Sequence, residues 1–223
     1  MSLIKLSNVV KFYPDGDKQL NHVLRHINME VDKGEFIAIK GASGSGKTTL
    51  LSILGTLLLP DSGSYLLDGK EMTTPDTDHS LVRNKQIGFV FQDYRLMPQY
   101  TALENILLPT LAYNSKTSDE EVNYARHLLE LTHISGVANQ YPHTLSGGEA
   151  SRVSVCRALI MKPLLLLADE PTGQLDAENA GNIASLLSEI NKSLQATIVM
   201  VTHSDEIATV AHRILTLKEG VLL

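Results

Sequence analysis

Apolar and polar positions along the 223-residue chain follow two rhythms. Residues 4–10 and 27–31 alternate, as half-buried strands do, with a Pro14-Asp15-Gly16 turn between them. Residues 35–40 (EFIAIK), 64–67, 87–91, 164–168, 197–201 and 214–217 are short, largely apolar runs of strand length. Between them the spacing turns helical. An apolar helix is predicted over 48–59, halted by Pro60-Asp61-Ser62-Gly63, and another from Ser146 to about residue 161, stopped by Pro163. A third starts at Ala177 and is expected to bury Ala180, Ile183, Leu187 and Ile190; a short one covers 204–210. Apolar strands alternating with helices predict an α/β fold whose parallel sheet is covered on both faces.

Residues 93–144 break this alternation and carry no strand signal. Leu103, Ile106 and Leu107 share a helical face before Pro109. Ser118 and Glu121 form a Ser-x-x-Glu capping box, followed by Val122, Ala125, Leu128, Leu129 and Thr132 at helical spacing. The stretch is expected to be a helical subdomain inserted into the sheet. The predicted division is residues 93–156 for this subdomain, with 1–92 and 157–223 forming a β subdomain plus the sheet core.

Composition narrows the function classes. The length suits one large domain with an insertion. A hydrophobic content of 43% with 20% charged residues is that of a globular protein. The net charge of −6 argues against a nucleic-acid footprint spread over the surface. One cysteine, Cys156, excludes an internal disulfide and suits a reducing compartment, with buried packing its expected role. No apolar run approaches the ~20 residues that span a bilayer, and residues 1–10 lack a signal-peptide pattern. The expectation is a cytosolic protein whose membrane role, if it has one, comes through a partner.

The chemistry concentrates where strands end. Residues 41–48 read Gly-Ala-Ser-Gly-Ser-Gly-Lys-Thr, the G-x-x-x-x-G-K-[ST] pattern, between a predicted strand and a predicted helix. Glycines there let backbone N–H groups wrap phosphates, and the helix start adds a positive dipole end. Lys47 is expected to reach the β- and γ-phosphates, and the Thr48 hydroxyl to ligate Mg²⁺. Asp169 and Glu170 end the apolar run 164–168, at the carboxyl end of a strand, where open parallel sheets bind ligands. Two adjacent carboxylates there call for a cation. Asp169 would hold it, and Glu170 would orient or deprotonate an attacking water.

Residues 145–149 read Leu-Ser-Gly-Gly-Glu. Ser146 and Glu149 make a capping box, and Gly147-Gly148 behind it leaves backbone N–H groups for a terminal phosphate. His203 follows the strand 197–201 and points to a γ-phosphate contact. Gln92 follows the strand 87–91 and, as a neutral amide, ligates Mg²⁺ or positions water. Tyr13 either stacks on an adenine ring or packs on core. Asp176 is a natural N-cap. The other histidines, His22 and His26 included, form no convincing metal cluster.

Together these motifs resemble the nucleotide-binding domain of ATP-binding cassette (ABC) proteins over essentially the whole chain. The resemblance identifies Walker A at 41–48, the Q-loop at Gln92, the signature at 145–149, Walker B at 165–169 followed by Glu170, the D-loop around Asp176 and the H-loop at His203. It implies a P-loop NTPase (RecA-like) parallel-sheet core with an N-terminal antiparallel β subdomain and the inserted helical subdomain. Tyr13, Gly41, Ser43, Gly44, Ser45, Gly46, Lys47, Thr48, Thr49, Ser146, Gly147, Gly148 and Asp176 would bind ATP. Thr48, Gln92 and Asp169 would hold Mg²⁺, and Glu170, His203 and Gln92 would serve hydrolysis.

Family membership implies a homodimer with each ATP between Walker A of one subunit and Ser146-Gly147-Gly148 of the other. It further implies docking on integral membrane subunits, through a groove near Gln92 and residues 93–97, on the inner face of the cell membrane. Residues 88–92, 103–106 with Pro109, and 168–173 resemble the branch holding lipoprotein-release, MacB-type export and FtsE-type ATPases. The FtsE-type alternative regulates envelope remodelling without cargo. Soluble ABC ATPases of repair or translation are the remaining class. They are disfavoured because the zinc motifs, long coiled coils or second cassette they usually carry are not visible in the sequence, in keeping with the acidic charge. The chain departs from this branch at Glu149-Ala150-Ser151-Arg152, where a glutamine-rich run is usual, and at Gln174, where Asn is common.

Overall fold

The computed structural model describes residues 2–15, 19–74 and 76–223. Two long strands open the chain, β1 (Ser2–Asp15) and β2 (Gln19–Asp32), antiparallel to each other. Both extend well past the spans that alternation alone predicted. The Gly16 part of the expected turn lies outside the described residues. Next come β3 (Phe36–Lys40), helix α1 (Lys47–Leu54), β4 (Ser62–Leu67), the two-residue β5 (Lys70–Glu71), α2 (His79–Gln86) and β6 (Ile87–Val90). A helical stretch follows with α3 (Ala102–Leu107), α4 (Asp119–Leu131), three short 3₁₀ turns and α5 (Gly147–Leu159). The chain then runs β7 (Leu165–Asp169), α6 (Ala177–Leu194), β8 (Thr197–Thr202), α7 (Asp205–Ala208), β9 (Arg213–Lys218) and β10 (Val221–Leu222).

Two sheets result. One has four strands in the order β2-β1-β4-β5; the other has six, β10-β9-β3-β8-β7-β6. In the six-stranded sheet β9, β3, β8, β7 and β6 are parallel, and β10 pairs antiparallel at the edge. Alternation along each central strand divides the core in two. Phe36, Ala38, Leu166, Ala168, Ile198 and Met200 face α3 to α7, while Ile37, Ile39, Leu165, Leu167, Val199 and Val201 face α1 and the antiparallel sheet. Every one of these residues is fully buried. That explains why the strands read as continuous apolar runs rather than alternating ones.

The structure corrects three local expectations. Helix α1 ends at Leu54, not at residue 59, and Gly55 after it packs so closely that a Cβ there would lie 2.4 Å from the Phe89 ring. Thr56 follows at φ 53°, a left-handed turn that stops the helix. Helix α2 was not expected: it buries no residue, so it has no apolar stripe to reveal it. Its signals are the Asp78 cap, which accepts from Ser80 and Leu81 N–H, and the basic last turn of Arg83 and Lys85. Ala180 on α6 is only half-buried; Ala184 and Leu186 complete the buried face instead. Helix α5 runs unbroken across the 156/157 boundary, buried on nearly all sides.

Two close approaches fix α5, one to the end of α4 and one to the sheet. Cys156 is buried, with its Sγ 3.2 Å from the Thr132 hydroxyl, and burial pushes the thiol up to about 12. A Cβ on Gly88 of β6 would lie 2.2 Å from the Ala158 carbonyl oxygen. Backbone cannot yield as a flexible side chain does. Gly88→Ala is therefore expected to destabilise the fold by about 1–3 kcal/mol, read as a lower urea midpoint. An unchanged midpoint would contradict this packing.

Candidate nucleotide site

The 41–48 loop is built by backbone constraints that exclude side chains. Gly46, the N-cap of α1, sits at φ 102°, and a Cβ on it would lie 2.8 Å from the Val23 carbonyl oxygen. A Cβ on Gly41 would lie 2.4 Å from the Leu217 carbonyl oxygen. The loop is thus clamped between β2 and β9. It encloses a cavity of about 210 Å³ lined by Val23, Ser43, Gly44, Gly46, Lys47, Thr48, Thr49 and Glu170. Val23 was missed by sequence reasoning: only its backbone and its place on β2 matter, and neither leaves a residue-type signal.

Lys47 is 6% exposed, and its ammonium donates to the carbonyls of Gly41 (2.8 Å) and Ala42 (3.0 Å). The cation is therefore placed at the mouth of the loop by the loop itself. The Ser45 hydroxyl is buried there without a hydrogen-bond partner. A glycine cradle, a preplaced ammonium and an orphaned hydroxyl are a donor set suited to phosphate oxygens.

The carboxylates stand at the end of β7. Asp169 ends the strand with the Thr48 hydroxyl beside it. Burial, then the neighbouring Glu170 charge, push its carboxyl above the usual range, while Lys47 and Arg95 pull the other way. Two oxygen donors side by side, Asp169 and Thr48, fit a hard divalent cation. A raised pKa means the stability tied to Asp169 is whole below the ordinary carboxylate range and is lost as pH rises through the raised value. Asp169→Asn keeps the acceptor but removes the charge. It is expected to raise the urea midpoint at pH 7 in buffer free of nucleotide and metal, with the gain vanishing in acid. A midpoint equal to or below that of the unmodified chain at pH 7 would contradict it.

Glu170 adopts φ 43°, and its N–H donates to the Val201 carbonyl at 3.0 Å. This left-handed turn brings its carboxylate over the cavity. One oxygen lies 2.8 Å from His203 Nδ1 and the other 3.9 Å from Lys47 Nζ. His203 itself is largely exposed just past β8. Close beside it, Lys40 at the end of β3 pairs with Asp205 at 2.5 Å.

Gln92 stands two residues past β6. Its side-chain nitrogen is 2.7 Å from where a Cβ on Gly173 would stand, so it packs against the turn after Glu170 and does not line the cavity. Tyr13 pairs with Asn21 on the hairpin that also carries Val23, but its ring is exposed beside Lys11 and does not line the cavity either. Asp176 is the N-cap of α6, accepting from Asn179 N–H at 2.9 Å.

Ser146 caps α5 through a full capping box with Glu149, whose carboxyl is held below its usual range by the Ser146 N–H and hydroxyl. Gly147 and Gly148 face Leu175 and Asn179 at the start of α6, and added Cβ atoms would come within 3.2 and 3.0 Å of them. None of Ser146, Gly147 and Gly148 lines the phosphate cavity of its own chain. Ala150 and Ser151, the departures noted above, are both buried, and the Ser151 hydroxyl has no partner. A second, larger concavity of about 620 Å³ lies between β6, α2 and α5, with Phe89 and Phe91 inside and Arg83, Arg95 and Arg157 around it.

Comparison with known proteins agrees with this geometry. A family model described as "ABC transporter" matches residues 24–173. The lipoprotein-releasing system ATP-binding protein LolD of Saccharophagus degradans is 42% identical over 221 residues, covering 99% of this chain and 96% of LolD. The macrolide export ATP-binding/permease protein MacB of Mannheimia succiniciproducens is 40% identical, but the chain spans only 34% of its length. Among solved structures, a dimeric post-hydrolysis state of the ATP-binding cassette MJ0796 bound to ADP and Pi superposes with a TM-score of 0.87 at 38% identity, covering 98% of this chain and 96% of that one. With its phosphate loop, Asp-Glu strand end and capped Ser-Gly-Gly helix, the chain belongs to the ABC transporter family, as one of its ATP-binding, ATP-hydrolysing cassettes.

Proposed function

We propose that the chain drives a membrane ABC complex by closing as a homodimer around two ATP molecules and reopening after their hydrolysis. One observation carries this reading: the chain holds two phosphate-suited surfaces, the 41–48 loop and the Ser146-Gly147-Gly148 helix start, and the second is absent from the cavity formed by the first. A second copy supplies what one copy lacks. The dimeric form of the MJ0796 cassette supports the same arrangement.

In this reading Gly44, Gly46, Lys47 and Thr49 bind the phosphates, with Ser43, Ser45 and the backbone of Gly41 completing the loop. Thr48, Gln92 and Asp169 hold Mg²⁺, which neutralises phosphate charge when bound. Glu170 accepts the proton of the attacking water, and His203 holds the Glu170 carboxylate in place. Tyr13 stands at the edge where a base would stack, and Asp176 keeps the start of α6 against the signature glycines.

No helix among the described residues is long and apolar enough to cross a membrane. We place the membrane-crossing part in a partner, as the permease portion of MacB and the releasing-system name of LolD suggest for those relatives. The apolar groove of Phe89 and Phe91 is the docking surface, which puts the chain peripherally on the inner face of the membrane. These relatives are named for lipoprotein release and macrolide export, and the work read for this chain is likewise export or extraction.

The test is the oligomeric state of Glu170→Gln. Sedimentation with excess Mg-ATP is expected to give a dimer that reverts to monomer when ATP is removed. A protein that stays monomeric throughout would overturn the sandwich.

A further inference from the structure

The loop after β6 is bent by two successive residues in the left-handed region, Tyr94 at φ 56° and Arg95 at φ 48°. Neither is glycine, so both conformations cost free energy and persist only when their surroundings impose them. Arg157 on α5 is what holds them. Its two terminal nitrogens donate to the carbonyls of Arg95 and Tyr94, each at 2.5 Å. A planar guanidinium suits this task because one rigid fork can fix two acceptors at once. Burial pulls the Arg157 guanidinium below its usual range, with Asp93 partly opposing, and the two carbonyl bonds offset that burial.

Three buried hydroxyls on this loop and on α5, those of Tyr94, Ser151 and Ser154, have no hydrogen-bond partner. The Tyr94 hydroxyl lies 3.7 Å from the place of a Cβ on Gly147 and has no hydrogen-bond partner. Ser151 and Ser154 share the Gly147 face of α5, four and seven residues on, and their buried hydroxyls are also unpartnered. Among the described residues, the hydrogen bonds from residues 92–97 to α5 are the two that Arg157 donates. Hydroxyls bonded to nothing permit sliding; a bidentate guanidinium does not.

This tie joins three places. The loop begins at Gln92, Arg95 and Arg157 line the apolar groove, and α5 begins with Ser146-Gly147-Gly148. We propose that Arg157 is a positioning residue that makes the Gln92 loop and the signature helix move as one body, so that seating of the groove's partner sets both when the dimer closes. The inference rests on the sandwich dimer proposed above. It assigns to one side chain the coupling between the two elements.

The experiment uses the full chain in the Glu170→Gln background, with and without Arg157→Met or Arg157→Lys. Three quantities are read: affinity of the monomer for a fluorescent ATP analogue with Mg²⁺, self-association with Mg-ATP by sedimentation, and amide hydrogen exchange. Arg157→Met is expected to bind nucleotide within about twofold, to self-associate about tenfold more weakly, and to exchange faster in residues 93–97 and 146–149 together. Arg157→Lys, with a point charge in place of the fork, is expected to fall between. Unchanged self-association would overturn the proposal. So would an equal loss of nucleotide affinity and self-association, which marks general structural damage. Should Arg157→Met fail to fold, Arg157→Lys decides by the same comparison. If Glu170→Gln alone stays monomeric, the sandwich fails and this inference falls with it; if it dimerises and the Arg157 variants dimerise equally, only the inference fails.

Discussion

Glu170→Gln is expected to lower ATP turnover by about 10²–10⁴-fold while leaving nucleotide affinity within a few-fold. Glu170 lines the phosphate cavity, and its strained backbone at φ 43° aims the carboxylate there rather than along the strand. A cost of this kind at a strand's end points to function more than to folding. The amide keeps the size of the side chain and a hydrogen bond to His203, which lies 2.8 Å away. It cannot accept a proton at neutral pH. The loss thus isolates the proton transfer from binding, and phosphate release at saturating Mg-ATP measures it. Turnover within threefold of the unmodified chain would remove Glu170 from the chemistry.

Lys47→Met is expected to weaken ATP binding by about 100-fold, the scale of two lost charge-assisted hydrogen bonds. Met preserves the reach of the side chain and its packing, so circular dichroism is expected to be unchanged. The ammonium already rests on the carbonyls of Gly41 and Ala42, 2.8 and 3.0 Å away. Such preplacement means that a phosphate finds the cation oriented and pays little to order it. Calorimetric titration with Mg-ATP reads the loss, and an affinity within threefold would contradict the assignment.

Much of this was legible in the sequence, for identifiable reasons. The central strands announce themselves because both their faces are buried, as at Leu165 to Leu167. Capping boxes at Ser118 and Ser146 are local chemistry, and both are present as expected. Helix α2 was invisible because it rests on the surface with no buried residue. The end of α1 was misplaced because Leu57 and Leu59 continue an apolar pattern, whereas the left-handed turn at Thr56 ends the helix before them. The candidate site divides the same way. Its phosphate loop and strand-end carboxylates are short motifs, readable as such. The contact of Gln92 with Gly173, the Val23 carbonyl behind Gly46 and the hold of Arg157 on Tyr94 and Arg95 are tertiary. No local pattern encodes them.

The central claim is that Ser146 of one protomer completes the phosphate site of another. Disulfide trapping between two single variants tests it most directly, because the only native cysteine, Cys156, is buried. Ser43→Cys and Ser146→Cys chains, each also carrying Glu170→Gln, are mixed and oxidised with and without Mg-ATP. The account predicts a covalent dimer at twice the 24.4 kDa chain mass, formed by the mixture and dependent on Mg-ATP. A mixture that yields no covalent dimer with Mg-ATP, from chains that bind the nucleotide, would contradict it.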